Sequence, residues 1–373
     1  MRSPTDVPPG EPPVATLTTP VDGDAGHDTP SRIERLRSVT FAPDLRTALI
    51  MGTLCVASLT LLQLSRLTYV DPDIWHEMAL AREAFRLGAM PLADSFAYTP
   101  TVYPMVHHEW GTGAVLYAVT AAAGGTGLML LKYALVTLTA CFCVAAARLR
   151  GAKATTILSL APLAVLLTAI GLTTVRAQLF TLAALAIQLY LLERDRQGDR
   201  RWIWVWLTLY VVWLNLHAGF VVGVALFGCY LIEQACRRRP VGDLMAVGVA
   251  VILLVAATPY GLHYYPYLVH GVMLDRPLIS EWAPLWQTGG STLVLYATSL
   301  LLLIYSVCVT GPRRLIGLLL VAVAAYAALR HTRHVSLYGV VWFAYMPAFV
   351  DSTPLGATLG NIWRRRARIM ASG

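Results

Sequence analysis

Long apolar runs alternate with short polar segments from about residue 47 to residue 350. Most of these runs have roughly 15–21 residues, close to the length that a helix needs to cross a bilayer. The apolar runs lie at 47–65, 127–147, 154–173, 177–192, 202–216, 218–235, 241–258, 292–310, 315–329 and 335–350. The pattern therefore predicts an all-α fold, a polytopic bundle of about ten transmembrane helices.

Two shorter segments between the first and second runs have a different pattern. Within residues 72–88, apolar side chains recur every three or four positions from Ile74 to Phe85, with charged residues between them. This spacing predicts an amphipathic helix lying at the membrane surface. The segment 111–125 is short and rich in glycine, and we expect it to form a second surface helix.

The positions of the basic residues support that assignment of 111–125. If this segment does not span the membrane, the arginine clusters of all later loops fall on the side of Arg32–Arg46, as the positive-inside rule requires. If it spans, every later cluster changes side. The clusters are Arg148/Arg150/Lys153, Arg194/Arg196/Arg200/Arg201, Arg237–Arg239, Arg313/Arg314 and Arg364–Arg368.

This topology gives a simple domain organisation in the plasma membrane, with both termini in the cytoplasm. Residues 1–30 are rich in Pro, Gly, Thr and Asp, which predicts a disordered tail. Residues 31–350 form the transmembrane domain, whose first extracytoplasmic loop is 66–126. Residues 351–373 are a basic cytoplasmic tail.

The amino-acid composition agrees with a membrane protein and argues against a soluble domain or a nucleic-acid-binding protein. Hydrophobic residues make up 57% of the chain and charged residues 13%, about half of the roughly 25% typical of soluble domains. The 29 Lys and Arg exceed the 21 Asp and Glu, but they occur in the short loops that set topology. No zinc-finger or helix-turn-helix pattern is present, so nucleic acid is not expected as a partner, whereas membrane lipids are.

The predicted topology also gathers the polar motifs of the chain on the outer face, while the cytoplasmic loops carry plain arginine clusters. This asymmetry is the main functional signal in the sequence pattern. The motifs are DPDIWHE at 71–77, HHEW at 107–110, Arg176, NLH at 215–217, TPYGLHYYPY at 258–267, ISEW at 279–282 and RHTRH at 330–334.

The aspartate pair in DPDIWHE has a structural and a functional interpretation. Asp71 is a good helix N-cap, Pro72 suits the first helical position, and Asp73 complements the helix dipole. One cap needs only one carboxylate, however, and two like charges beside a membrane perturb each other's pKa. Both interpretations stay open for both residues.

The other outer motifs have similar alternatives. Glu109 and His108 suit an acid/base pair or a divalent-cation site, or Glu109 is only a first-turn carboxylate. Arg176 and Arg330 suit a phosphate clamp, or they extend to lipid head groups. Helix ends, turns and solvated loops explain the rest equally well, namely Asn215, His217, Tyr260 and Glu281.

Together these motifs resemble the GT-C superfamily of membrane glycosyltransferases, most closely uncharacterised bacterial GT-C-like proteins. That superfamily includes protein O-mannosyltransferases, the aminoarabinose transferases of lipid A and the catalytic subunits of oligosaccharyltransferase. The resemblance covers roughly residues 45–350, and its first-loop part is the more specific. The matching residues are Asp71, Asp73, Trp75, His76, Asp94, Phe96, Tyr98, Thr99, His108, Glu109, Trp110, Arg176, Gln178, Phe180, Asn215, His217, Gly219, Pro259, Tyr260, Gly261, Glu281 and Trp282.

The resemblance implies a hexosyltransferase-type reaction. Such enzymes pass a sugar, usually with inversion, from a polyprenyl-phosphate or polyprenyl-diphosphate donor to a glycan, lipid or protein acceptor on the outer face. It implies that Asp71 or Asp73, with Asp71 preferred, acts as base or helps hold Mg²⁺ or Mn²⁺, and that Glu109 is a further catalytic candidate. Arg176 and Arg330 would hold the leaving phosphate. The remaining substrate-binding candidates are His76, His108, Asn215, His217, Tyr260 and Glu281.

Two other function classes compete with this expectation. A polytopic transporter or lipid flippase would share the apolar pattern, although no convincing internal repeat is visible in the sequence. A non-catalytic membrane protein with a GT-C-like fold would share the motifs.

Overall fold

A computed structural model of the chain describes residues 69–99, 101–274 and 276–372, together with scattered positions between 49 and 57. The predicted tail at 1–30 and most of the first apolar run at 47–65 lie outside the described residues. What is described is almost entirely helical, with one pair of two-residue strands.

The helices coincide with the apolar runs from 127 onward, because each run can satisfy its main-chain hydrogen bonds internally while exposing an apolar surface. The strands are β1 (Tyr69–Val70) and β2 (Thr174–Val175). In chain order the helices are α1 (Asp73–Leu87), α2 (Trp110–Leu149), α3 (Ala154–Thr173), α4 (Gln178–Arg196), α5 (Trp202–Leu216), α6 (Phe220–Cys236), α7 (Gly242–Leu254), α8 (Tyr264–Met273), α9 (Leu285–Thr288), α10 (Gly290–Thr310), α11 (Leu318–Arg330), α12 (Val335–Asp351) and α13 (Pro354–Ser372).

Three of these helices, α2, α3 and α10, are long and apolar enough to cross a membrane. Four shorter helices, α5, α6, α7 and α11, are also apolar. Two further helices, α4 and α12, are buried along most of their length and form the centre of the bundle, where α4 packs on α2 and α12 on α3. These features fit a membrane-associated helical bundle.

The surface helix predicted from the apolar periodicity at 72–88 is present as α1, and it ends at Gly88 in a left-handed conformation. Its buried face includes Ile74, Met78 and Ala81 of the predicted stripe but not Phe85. Phe85 is exposed at 62% of its surface, whereas Glu77 is buried together with Ile74 and Met78. The buried face is thus turned toward Glu77, because α1 packs against the start of α2.

The segment 111–125, predicted as a separate surface helix, is divided from the rest of α2 at Gly124, so that α2 consists of two helices joined at a kink. The helical geometry is broken at Gly124, whose φ of 57° and ψ of −147° are accessible mainly to glycine. The first turn of α2 is buried, including Gly111, Thr112 and Gly113. It therefore packs inside the bundle instead of lying wholly on its surface.

Gly113 sets the distance between α1 and α2. A Cβ atom at this position would lie 2.4 Å from the Glu77 carbonyl oxygen, whereas one at Gly125 of the same helix would meet nothing within 4 Å. We expect Gly113→Ala to lower the free energy of unfolding by about 1–3 kcal/mol through overpacking. Gly125→Ala, the matched control next to the break, should change it by no more than about 0.5 kcal/mol because the added methyl group meets no other atom. Thermal unfolding in detergent measures both, and equal midpoints for the two variants would contradict this packing.

Candidate active site

The paired strands bring the first loop to the start of α4. Tyr69–Val70 pairs in parallel with Thr174–Val175, and the Asp71 N–H donates to the Val175 carbonyl oxygen over 3.2 Å. Residue 71 therefore lies beside residue 176. The Asp71 Oδ2 atom is 3.4 Å from Arg176 Nε, and both side chains are largely buried.

Both carboxylate oxygens of Asp71 have a partner within the protein. Its Oδ1 atom accepts a hydrogen bond from the Asp73 main-chain N–H at 3.1 Å, which satisfies a donor at the start of α1 as a helix cap does. Its other oxygen pairs with Arg176. Asp71 thus anchors the start of α1 to the start of α4.

Arg176 joins the first loop to a distant loop through Glu281. The guanidinium donates two parallel hydrogen bonds to the carboxylate, from Nη1 at 2.9 Å and Nη2 at 3.2 Å. Burial works against the charge of Arg176, but the hydrogen bonds and charges of Glu281 and Asp71 raise its pKa overall. The same hydrogen bonds lower the pKa of Glu281. The two carboxylates together neutralise Arg176.

Asp73 differs from Asp71 in its surroundings. Its carboxylate is exposed, and among the described residues no hydrogen bond or ion pair engages it. Partial burial and the negative charges of Asp71 and Glu109 raise its pKa. A solvent-accessible carboxylate with a raised pKa and no bound cation is suited to accept a proton.

The carboxyl group of Glu77, on α1, lies next to the carboxyl group of Glu109, which directly precedes α2. Burial and the adjacent Glu109 raise the pKa of Glu77 to about 11. The pKa of Glu109 is lowered, because hydrogen bonds from His108 and Glu77 and the nearby His217 outweigh its burial. Glu77 is therefore protonated at neutral pH and Glu109 is ionised, so the pair shares one proton.

Two histidines contact the Glu109 carboxylate. Its Oε1 atom is 3.3 Å from Nε2 of His108 and 3.3 Å from Nε2 of His217. His217 Nδ1 accepts the Gly219 N–H at 3.0 Å and lies 2.7 Å from the Thr181 hydroxyl. Since Nδ1 is an acceptor, the ring proton of neutral His217 is on Nε2 and points to Glu109. Burial lowers the pKa of His217 to about 4, which keeps the ring neutral.

Thr181 and Tyr267 extend this network on both sides. The Trp213 indole N–H donates to Thr181 Oγ1 at 2.8 Å, which orients the threonine proton toward His217. Tyr267 Oη lies 2.7 Å from His108 Nδ1, and the two rings stack with centroids 5.5 Å apart. A continuous chain of hydrogen-bonding groups therefore leads to the Glu109 carboxylate.

The remaining residues that the sequence predicted for the site contact other groups of the protein. His76 Nε2 is 2.8 Å from Asp94 Oδ2. Asn215 accepts the Trp110 indole N–H at 2.9 Å and donates to two main-chain carbonyl groups, so it ties α5 to its neighbours. Tyr260 is buried. Arg330 ends α11 and is exposed, and within the described part of the chain it contacts none of the carboxylates.

Two residues of this site, Glu77 and Arg333, lie in motifs that the sequence pattern had identified but were not chosen as site candidates. Glu77 lies one helical turn after Asp73 and faces the same way, a spacing that could have indicated it. Arg333 lies three residues after Arg330, and its guanidinium stacks over the Trp282 ring at 4.7 Å. Burial and the nearby Arg176 lower the pKa of Arg333. In the part of the chain that the structure describes, no carboxylate forms an ion pair with it.

The donor set does not match a divalent-cation site. Both Asp71 oxygens are engaged, by a main-chain N–H and by a guanidinium, so Asp71 and Asp73 do not present a free pair of carboxylates. Across the described ranges, no three His, Cys, Asp or Glu side chains are grouped so that they could hold a metal ion.

The raised pKa of Glu77 leads to a prediction of how the stability of the protein depends on pH. The pKa of Glu77 is raised to about 11, so the folded protein keeps a proton that the unfolded chain releases near pH 4.5. Stability is then fully present below pH 4.5 and falls as pH rises toward 11. Glu77→Gln mimics the protonated form and removes this contribution. We expect the variant to lose less stability than the wild type between pH 6 and 9.

The measurement is the thermal unfolding midpoint in detergent at several pH values. His107 and His217, whose pKa values burial lowers to about 4, titrate equally in both proteins and cancel in the difference. Glu83→Gln, at a partly exposed position of the same helix where the carboxylate pairs with Arg86, is the control and should keep the wild-type slope. Parallel curves for the wild type and Glu77→Gln would show that Glu77 is ionised in the folded protein.

No protein-family model, curated protein or solved structure matches the chain at a significant level.

Proposed function

We propose that this protein is a membrane glycosyltransferase that moves a sugar from a polyprenyl-phosphate carrier to an acceptor hydroxyl, with inversion. The observation that carries the proposal is the position of Asp73, an exposed carboxylate without a partner among the described residues, near the Arg176 guanidinium. The motif resemblance to GT-C enzymes supports the choice of reaction. The long apolar helices support a lipid-linked donor.

The proposed step assigns one role to each group. The acceptor oxygen attacks the anomeric carbon while its proton passes to the Asp73 carboxylate. The bond between the anomeric carbon and the phosphate oxygen breaks, and polyprenyl phosphate leaves with the bonding electrons. Arg333 is the preferred phosphate ligand, because Arg176 is already neutralised by Asp71 and Glu281.

The carboxyl pair has a supporting role in this proposal. Glu109 is ionised and lies close enough to raise the pKa of Asp73. The protonated Glu77 and neutral His217 disperse the charge of Glu109 without neutralising it. Glu109 thus favours proton uptake by Asp73, and Asp71 positions the first turn of α1 on which Asp73 lies.

A topology with the site on the extracytoplasmic face fits the charge distribution. The site lies at the N-terminal ends of α2 and α4, whereas arginines cluster at the C-terminal ends of α2, α4 and α6. By the positive-inside rule the arginine-rich end faces the cytoplasm. The donor would then enter from the outer leaflet.

Proteoliposomes test the proposal against its alternatives. The purified full chain is reconstituted with a radiolabelled polyprenyl-phosphate hexose and a host membrane extract that supplies acceptors. We expect the label to leave the donor lipid only when the protein is present. Movement of the labelled lipid between leaflets without sugar loss would indicate a flippase. Absence of both effects would indicate a non-catalytic protein.

A further inference from the structure

A cavity lined mostly by polar residues lies at the opposite end of the bundle from the candidate active site. Its volume is about 200 Å³, and it opens between the C-terminal ends of α2, α4 and α6. Because α4 has 19 residues from Gln178 to Arg196, the cavity is about 28 Å from the active-site end of that helix. The polar residues that the inference uses are Arg150, Glu193, Arg196, Gln234, Arg237 and Arg239.

Positive charge exceeds negative charge around this cavity. Arg196 is held by two carboxylates, through Nε to Glu193 at 3.0 Å and through Nη1 to Glu233 at 2.8 Å. The same two carboxylates are shared with Arg150, at 3.0 Å, and with Arg237, at 3.3 Å. Four guanidinium groups thus line the cavity, while two carboxylates serve three of them.

The fourth guanidinium, that of Arg239, is exposed and bonds only to a main-chain carbonyl group. Its Nη1 donates to the Arg196 carbonyl oxygen at 3.2 Å, and no carboxylate pairs with it in the described residues. Its remaining N–H groups are available to a ligand. The cavity therefore carries a cationic group that the protein does not neutralise.

Two buried donors on the cavity wall also lack a protein partner. Arg150 Nε and Gln234 Nε2 form no hydrogen bond with any group that the structure describes. The Arg150 side chain is 8% exposed and Gln234 is 3% exposed. A buried donor without a partner costs about 1–3 kcal/mol, so such donors usually indicate a ligand or an ordered water.

We propose that this cavity is a binding site for a phosphate group, carried by an anionic lipid headgroup or by a free phosphorylated compound. Guanidinium groups match the geometry of phosphate oxygens and bind them with two parallel hydrogen bonds. Basic pockets between helices at a membrane boundary bind anionic lipid headgroups by the same chemistry. The site is separate from the proposed transferase reaction and does not depend on it.

The test measures binding to the full-length protein in a zwitterionic detergent. The probes are dioctanoyl phosphatidic acid, inorganic phosphate and, as a control with no net charge, the zwitterionic dioctanoyl phosphatidylcholine. We expect phosphatidic acid to bind saturably and to raise the thermal unfolding midpoint, whereas phosphatidylcholine does neither. Comparable binding of inorganic phosphate would identify a free phosphate compound as the source, and binding of phosphatidic acid alone would identify a lipid headgroup.

Matched charge variants locate the site. Arg237→Gln combined with Arg239→Gln should weaken binding about 10- to 100-fold, because two charged donors are lost. Glu233 keeps its contact with Arg196 in that variant, so the fold is retained. Arg238→Gln removes a charge from the same turn but not from the cavity wall, and should bind like the wild type. Absence of saturable binding, or an equal loss in Arg238→Gln, would overturn the proposal.

Discussion

Replacing Arg176 by glutamine is expected to lower the free energy of unfolding by about 2–4 kcal/mol. The substitution leaves Asp71 and Glu281 without their shared cation. Asp71 is 17% exposed and Glu281 39% exposed, so burial makes the loss larger at Asp71, while solvent reduces it at Glu281. This contact holds both the start of α1 and the loop that contains Glu281. Thermal and denaturant unfolding in detergent measure the effect.

Two further variants test whether the loss of stability comes from the ion pairs of Arg176. Arg330→Gln removes the same charge from an exposed helix end, and the change in unfolding free energy should stay within about 0.5 kcal/mol. Adding Asp71→Asn and Glu281→Gln to the Arg176→Gln variant should restore part of the lost stability, since no carboxylate is then left unpaired. If Arg176→Gln unfolds like the wild type, the ion pairs do not hold the loops together.

Replacing Asp73 by asparagine is expected to reduce sugar transfer by about 100- to 10,000-fold, the usual contribution of a general base. The side chain is exposed and makes no hydrogen bond or ion pair with any described residue, so the thermal midpoint should change little. Asparagine keeps the size of the side chain but cannot take the acceptor proton. Initial rates with a saturating lipid-linked donor measure the loss.

Asp71→Asn is the matched variant for that experiment. Asparagine still accepts the Asp73 N–H as a cap, but it no longer pairs electrostatically with Arg176. We expect lower stability and a smaller loss of transfer than for Asp73→Asn. The opposite order, a large rate loss at Asp71 and none at Asp73, would assign the base to Asp71, which the sequence resemblance preferred.

Much of the architecture could be predicted from local pattern alone. Apolar runs of sufficient length form helices in a membrane-like bundle because a helix satisfies its main-chain groups within a single segment. The start of α1 was also predictable, since Asp71 and Pro72 are favoured at a helix N-terminus. The helix predicted at 111–125 is indeed set apart from the following apolar run by the break at Gly124, but the burial of its first turn was not predicted.

The chemistry of the site could be predicted only in outline. The sequence identified Asp71, Glu109 and Arg176 as site residues, but it could not show that Asp71 is already neutralised and Asp73 is not. That difference depends on the pairing of strands that are about a hundred residues apart along the chain. Local spacing contains no information about such a contact.

The amino-acid sequence by itself determined the helical class, the helix that carries the aspartate pair and the separation of arginine clusters from polar motifs, because these depend on neighbouring residues. Only the tertiary structure decided that Glu77 is buried against Glu109 and that Arg333, not Arg330, lies beside Arg176. Burial of Glu77 requires the close approach of α2 at Gly113. The pKa of a carboxyl group is set by whatever surrounds it in three dimensions, and those surroundings come from distant parts of the chain.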